Sequence, residues 1–215
     1  PFQPETVSNM DLADEPIELR VESGVCYCAH LNGGVTMVDV SHPLQPRFLD
    51  RRNTVGESYD VALRPPVVMV ADGSEGLVFL ATAPDTAWHL PTSGWARGLL
   101  LRTDNVYISQ WEAGIAVVDV APPTQPRILA EYDTPGLAHR CDEANNYIYV
   151  ADDYAGLTIL HDGVVVGTYT TDGAVWDVKV ADNLAYLAAG TEGLIVLDVT
   201  DPVAPLYAGS YQTPG

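Results

Sequence analysis

The sequence has few lysines, cysteines and phenylalanines, and it contains no long apolar run. Its ten basic residues are nine arginines and one lysine, Lys179, against 29 acidic residues, which gives a formal net charge of -19. Nucleic acids and anionic membrane surfaces need a basic partner, so this charge argues against both. No apolar stretch approaches the roughly 20 residues of a membrane span, and we therefore expect no membrane insertion.

Motifs that would announce a reaction or a cofactor are also missing. The sequence has no Gly-x-Ser-x-Gly elbow, His-Glu-x-x-His helix, P-loop or EF-hand loop. Cys26 and Cys28 lie two residues apart in an apparent strand, and with Cys141 we interpret them as small core residues rather than a disulfide or zinc pair. There is no signal peptide and Pro1 replaces a starting Met, so we expect a processed mature form or a piece of a longer chain.

The sequence does contain a repeat. A glycine followed by an apolar run recurs at intervals of 37 to 42 residues, at Gly34, Gly76, Gly114, Gly156 and Gly193. A second marker, Thr-x-Gly, recurs in the same phase, beginning at Thr54, Thr92, Thr134, Thr171 and Thr213. Two independent markers with matching periods predict five copies of one unit.

Each unit is predicted to fold as four short strands, because runs rich in Val, Ile, Leu and Tyr alternate with Gly, Asp, Asn and Pro. Four strands per unit of about 40 residues is typical of a propeller blade. We therefore predict an all-β, five-bladed β-propeller with four antiparallel strands per blade and almost no helix. The predicted blades cover about residues 16–53, 54–93, 94–134, 135–172 and 173–215. Residues 1–15 form an extended N-terminal segment that is either a linker or a brace for the seam of the ring.

Three units carry the signature Gly-Leu-x-Ile-Val-Asp-Val-Ser-x-Pro or a close variant. They read GVTMVDVSHP at residues 34–43, GIAVVDVAPP at 114–123 and GLIVLDVTDP at 193–202, and NYIYVADDYAGL at 146–157 echoes the flanking pattern. The chain thus resembles LVIVD-repeat proteins, although Ala81 and His161 replace the signature Asp in units two and four. The resemblance implies a propeller in an exported or surface-attached protein, and it implies no reaction.

The signature aspartates Asp39, Asp119 and Asp198 invite a metal interpretation. A turn role explains them better, because an Asp at the start of a turn accepts backbone N–H bonds from that turn. We therefore expect them to be structural.

Aligning the first strand of each unit identifies the residues around the central channel. The first position contains Ile17, Tyr59, Arg97, His139 and Trp176. The second contains Glu18, Asp60, Gly98, Arg140 and Asp177. The third contains Leu19, Val61, Leu99, Cys141 and Val178 and is predicted to be core. The units differ most at the first two positions, which favours a specific pocket there; the alternative is that Arg97 and Arg140 neutralise Glu18, Asp60 and Asp177 in a solvated ion network.

The loops between the second and third strands are predicted to emerge on the same face and to add acids and aromatics. The binding residues predicted on this face are Tyr59, Asp60, Arg97, His139, Arg140, Trp176, Asp177, Trp111, Glu112 and Tyr154. We expect no cofactor; the alternative is calcium, for which the oxygen ligands would be Asp152, Asp153, Asp72 and Glu75.

These features predict a non-catalytic interaction module, or a subunit of a multi-subunit or filamentous assembly, outside the cell, at its surface or in the periplasm. Its acidic and aromatic face would bind a protein, a glycan or a cation. The alternative is a carbohydrate-active hydrolase that uses the channel carboxylates Glu18, Asp60 and Asp177, with His139 as an acid or base. Fold analogy alone does not establish such chemistry.

Overall fold

The computed structural model describes residues 6, 8–12, 14–82 and 85–213. Its strands form five four-stranded antiparallel sheets, and this confirms the predicted all-β, five-bladed β-propeller. In the described part of the chain the only helical element is a 3-10 turn, Gly190–Glu192. The end of the fifth Thr-x-Gly marker, residues 214 and 215, and several residues of the N-terminal segment lie outside the described residues.

The strands follow the repeat closely, and each sheet consists of four consecutive strands. Blade one comprises β1 Pro16–Glu22, β2 Val25–His30, β3 Val35–Asp39 and β4 Arg47–Arg52. Blade two comprises β5 Asp60–Arg64, β6 Val67–Ala71, β7 Leu77–Thr82 and β8 Asp85–Leu90. Blade three comprises β9 Gly98–Arg102, β10 Asn105–Ser109, β11 Ile115–Asp119 and β12 Arg127–Tyr132.

The last two sheets have the same order. Blade four comprises β13 Arg140–Ala144, β14 Tyr147–Ala151, β15 Leu157–His161 and β16 Val164–Tyr169. Blade five comprises β17 Asp177–Ala181, β18 Leu184–Ala188, β19 Leu194–Asp198 and β20 Leu206–Tyr211. Two-residue turns with positive φ at both positions, such as Asn145–Asn146 and Asp182–Asn183, join the first two strands because this geometry matches their twist.

Apolar side chains between consecutive blades form the core. Four buried clusters occupy the interfaces of blades one and two, two and three, three and four, and four and five. The predicted core position contributes to each of them, through Val61, Leu99, Cys141 and Val178. Burial raises the pKa of the Cys141 thiol to about 12, and this agrees with its interpretation as a core residue.

The seam between blade five and blade one is different. In the described residues no buried cluster joins these two blades. Leu19 was predicted to be core, but it is 53% exposed because no neighbouring blade packs on it. On the facing side, Ala188 is exposed and Leu194 is half-buried, whereas their equivalents in blade four, Ala151 and Leu157, are fully buried. The prediction for Leu19 was therefore wrong.

The described part of the N-terminal segment lies along blade one. The Ser8 hydroxyl donates to the carbonyl of Pro43 at 2.5 Å, in the turn between β3 and β4. The Asp14 carboxylate accepts from Asn32 at 3.0 Å and pairs with Arg51 at 2.5 Å, beside the opposite ends of the same strands. All of these contacts are with blade one, and the choice between a linker and a brace for the seam stays a prediction.

The seam leads to a first prediction, made on two equivalent leucines. Leu99→Ala should lower the free energy of unfolding by about 2–5 kcal/mol, because Leu99 is buried between blades two and three. Leu19→Ala should cost less than about 1 kcal/mol because that side chain is already exposed. Urea unfolding of both variants and the wild type measures this. If both variants lose the same free energy of unfolding, Leu19 is buried in solution and the seam is packed.

Candidate functional site

Hydrogen bonds between blades set the positions of the first-position residues. The loop between the second and third strands of one blade forms an antiparallel bridge with the residue that precedes the next inner strand. These bridges join Gly73 to Ala96, Trp111 to Ala138 and Asp153 to Val175. Arg97, His139 and Trp176 follow immediately in the chain. The fold therefore fixes these side chains through backbone bonds of 2.9–3.1 Å to the preceding blade.

The Thr-x-Gly marker has a structural role. The Asp72 carboxylate accepts from the Thr54 hydroxyl at 2.6 Å, the Gly56 N–H at 2.9 Å and the Ser58 hydroxyl at 2.7 Å. Asp152 does the same in blade four, with Thr134 at 2.7 Å, Gly136 at 3.1 Å and Thr158 at 2.8 Å. Each carboxylate thus ties the end of the second strand to the loop that enters its own blade.

This role affects the calcium alternative. Asp72 and Glu75 lie in blade two while Asp152 and Asp153 lie in blade four, and both buried carboxylates are already bonded to hydroxyls and amides. Within the described residues there is no group of three or more His, Cys, Asp or Glu side chains arranged to hold a metal ion. Calcium at these residues stays a prediction that this geometry does not favour.

A second prediction concerns the Asp72 contacts. Asp72→Ala should lower the free energy of unfolding by roughly 3 kcal/mol, since it leaves two hydroxyls and one N–H without their acceptor in a buried place. Asp72→Asn keeps one acceptor oxygen and should cost less. Denaturant unfolding compares the two. If alanine costs no more than asparagine, the carboxylate contributes little to the loop.

The signature aspartates have the expected turn role. Asp39, Asp119 and Asp198 each accept the backbone N–H two residues ahead, at 2.8–3.0 Å. Hydrogen bonds from the side chains of Ser41, Arg127 and Thr200, and then these backbone bonds, hold the pKa of the three carboxyls below the usual range. They lie in the turns before the outer strands and take no part in the channel.

Side chains from four blades form a row of neighbouring rings and one guanidinium at one end of the channel. The Arg97 guanidinium lies 4.5 Å from the ring centre of Tyr59 and 4.6 Å from that of Trp111. The His139 ring follows, with centroids 6.4 Å from Trp111 and 4.5 Å from Trp176. We call these five residues the channel mouth. A pocket of about 160 Å³ lies there, and it is lined by Ile17, Tyr59, Arg97, His139, Arg140 and Trp176.

The backbone of Trp111 is unusual. Its φ is +49°, a region that favours glycine, and glycines occupy the equivalent loop positions in blades two and five, Gly73 and Gly190. A bulky residue in this conformation carries strain, which structures retain mainly where a side chain has a function. Here the result is an indole placed over Arg97.

Ion pairs between side chains occupy the middle of the channel. Arg140 pairs with Glu18 at 2.5 Å and with Asp60 at 3.1 Å, and Arg20 also pairs with both carboxylates. Asp60 is 1% exposed and accepts from the Leu99 N–H at 3.0 Å. Burial raises its pKa, while the charges of Arg140 and Arg20 oppose that shift. The ion-network alternative therefore describes Arg140, whereas Arg97 has no ion pair within the described residues.

Other predicted residues lie outside this group. Glu112 is exposed, and Tyr154 is 71% exposed, on loops beside the channel mouth. Asp177 is half-buried and accepts the N–H of Val178 at 2.8 Å. The sequence reasoning missed Glu57, whose carboxylate accepts from the Tyr59 hydroxyl. Its place three residues before the inner strand β5 was the available signal.

The opposite end of the channel holds a larger cavity that the sequence reasoning also missed. Its volume is about 520 Å³, and aliphatic residues of blades one to three line most of it. Exposed Lys179 of blade five borders it together with Val21 of blade one. Residues from both sides of the seam thus border this cavity.

A third prediction follows from His139. Burial, and then the charge of Arg97, lower its pKa, while Asp153 opposes them. The folded protein therefore binds this proton less readily than the unfolded chain, so stability falls as the pH drops through the unfolded value of about 6.5. Urea unfolding at pH 7 and pH 5 should show that His139→Gln removes part of this loss.

Two histidines give the context for that experiment. His30 is fully buried and its pKa is also lowered by burial. His30 therefore also reduces the stability as the pH falls, and this part of the loss remains in the His139→Gln variant. His89→Gln, at an exposed position in β8, is the matched control and should leave the pH dependence unchanged. An identical slope in all three proteins would contradict the prediction.

The architecture is that of known propellers. The chain is similar to the computationally designed Ika8 protein, with 11% identity, a TM-score of 0.71, and coverage of 90% of this chain and 60% of that one. It is similar to the β-propeller domain of Cps50 (Swd1) from Myceliophteria thermophila, with 8% identity, a TM-score of 0.73, and coverage of 91% and 69%. It is also similar to the Pan2 WD40 domain of Neurospora crassa, with 12% identity, a TM-score of 0.71, and coverage of 93% of this chain and 67% of that one. At these identities the likeness concerns the fold alone.

The chain is a repeat-built β-propeller, an architecture typical of protein-interaction modules. The LVIVD repeat matches residues 93–134, 137–161 and 172–213, about half of the sequence, and the chain belongs to this family. No curated protein sequence matches it. In the part of the chain that the structure describes, no helix is long and apolar enough to cross a bilayer.

Proposed function

We propose that the chain is a non-catalytic interaction module, exported or displayed at the cell surface, that binds a protein partner through the channel mouth. The propeller fold and the LVIVD repeats support an interaction role. The location rests on the family resemblance and on the acidic, lysine-poor composition. The observation that carries the binding site is the row of side chains from Tyr59 to Trp176 at one end of the channel.

Three properties make the channel mouth suited to a protein partner. Repeated positions elsewhere serve packing, but the first positions of the five blades, which line the pocket at the channel mouth, carry five different side chains. Trp176 is 49% exposed and Tyr154 on the neighbouring loop is 71% exposed, so large aromatic surfaces are open to a partner. Tryptophan, tyrosine and arginine are the residues that most often dominate binding energy at protein interfaces. Loops on a rigid scaffold also keep these groups in place before binding.

The structure does not favour the hydrolase alternative. A glycosidase needs an acid and a base or nucleophile that reach the sugar. Glu18 and Asp60 instead pair with Arg140 and Arg20, and Asp60 is almost completely buried. Asp177 alone does not make the required pair of carboxylates.

The test is a selection of peptides on the protein. A phage library of random 12-residue peptides is panned on the immobilised chain, and enriched peptides are measured by biolayer interferometry against the wild type and a Trp176→Ala, Tyr154→Ala double variant. We expect the double variant to weaken binding at least tenfold, because both aromatic surfaces are lost. Its melting temperature should stay close to that of the wild type, since both side chains are largely exposed.

The control changes a different surface. Leu44→Ala alters an exposed leucine in the turn between β3 and β4, away from the loops that carry the channel mouth, and should leave binding unchanged. Enriched peptides that bind the double variant as tightly as the wild type would overturn the proposal. Failure of repeated panning to enrich any peptide over an unrelated protein would count against it as well.

A further inference from the structure

The channel mouth contains a cation without a counter-charge in contact. Within the described residues the Arg97 guanidinium has no ion pair and no side-chain hydrogen bond; it is held by the rings of Tyr59 and Trp111. Glu57 and Asp153 act on it only through their charge. Glu57 is engaged by the Tyr59 hydroxyl, and Asp153 lies 3.8 Å from Nε2 of His139.

Further polar atoms around Arg97 lack partners. In the described part of the chain, Nε2 of His139 and Nε1 of Trp111 are buried without any hydrogen bond. His139 is 6% exposed and lines the same pocket as Arg97. Buried polar groups are normally bonded, so a set of unbonded ones at one place points to a missing acceptor.

The rings decide how Arg97 can be approached. The guanidinium carbon of Arg97 lies within 4.6 Å of the ring centres of Tyr59 and Trp111, while its N–H edge has no side-chain partner among the described residues. That edge carries parallel donors which match the two oxygens of a carboxylate. The pocket beside it, at about 160 Å³, is on the scale of one side chain.

We propose that the channel mouth binds a carboxylate of a partner polypeptide, an acidic side chain or a C-terminus, on the edge of the Arg97 guanidinium. This rests on the proposed function, because it names the group that the same site recognises. Burial lowers the pKa of Arg97 from its ordinary value, so a bound anion would relieve a charge that the fold leaves poorly compensated.

An acidic sugar carries the same group but fits this place less well. Sugars are usually bound with an apolar face against an open aromatic ring. The rings of Tyr59 and Trp111 are already occupied by Arg97, and Trp176 packs against His139. The observations therefore favour a peptide carboxylate, and a uronic acid becomes one arm of the test.

The experiment uses the four tryptophans as reporters. The full chain is labelled with 5-fluorotryptophan, and its ¹⁹F spectrum is followed while the capped peptide Gly-Gly-Glu-Gly-Gly is added. We expect saturable shifts of the Trp111 and Trp176 signals, with those of Trp88 and Trp95 smaller. The Gln-containing peptide should bind at least tenfold more weakly because it lacks the charge. Raising the salt concentration should weaken the Glu peptide further.

Two variants distinguish the contribution of the N–H edge of Arg97 from the contribution of its charge. Arg97→Lys keeps the charge but loses the planar donor edge, and it should weaken the Glu peptide at least fivefold; Arg97→Gln should abolish saturation. Arg127→Gln, at an exposed arginine that pairs with Asp119 in an outer turn, is the matched control and should bind normally. The melting temperature of each variant shows whether it is folded, and the comparison with Arg97→Lys remains valid if Arg97→Gln is not.

Each result has a defined meaning. Equal shifts with Glu and Gln peptides, no saturation, or unchanged binding in both Arg97 variants would overturn the proposal. Tighter saturation by sodium glucuronate than by the Glu peptide would also overturn it, in favour of an acidic sugar. If panning enriches neutral or basic peptides that require Trp176, the interaction role stands and the carboxylate proposal alone fails.

Discussion

Every blade of this propeller has two apolar faces, and the structure depends on their burial by neighbouring blades. Leu99, Cys141 and Val178 show the rule, since each packs on the preceding blade, whereas Leu19 at the seam does not. A single blade could not satisfy the rule, because both of its faces would meet water. Binding surfaces are therefore confined to places that this packing does not use, namely the ends of the channel and the outer edges.

The channel mouth combines backbone positions that recur from blade to blade with side chains that differ between blades. Backbone bridges such as that between Trp111 and Ala138 set where each inner strand starts, and they recur from blade to blade. The side chains placed by those bridges are free to differ, because they face the channel and not a neighbouring blade. A regular scaffold thus supports an irregular site, which is the arrangement expected for recognition without catalysis.

Much of the fold was predictable from the sequence because its signals are local and repeated five times. The turn role of Asp198 follows from the residues beside it, and the burial of Val61 follows from strand alternation. The exposure of Leu19 was not predictable, since it depends on whether two sheets distant in sequence meet. Nor was the position of Arg97 between Tyr59 and Trp111, which needs side chains from two blades at defined distances. The loop sequences predicted acids and aromatics at the mouth, whereas among the described residues Arg97 lies between aromatic side chains without an ion pair.

The position of the only lysine has a practical consequence. Lys179 is exposed and borders the wide cavity, at the end of the channel away from Trp111 and Trp176. Reagents that react with side-chain amines have one target in the entire sequence. A dye or surface linker attached at Lys179 would leave the aromatic end of the channel facing solution.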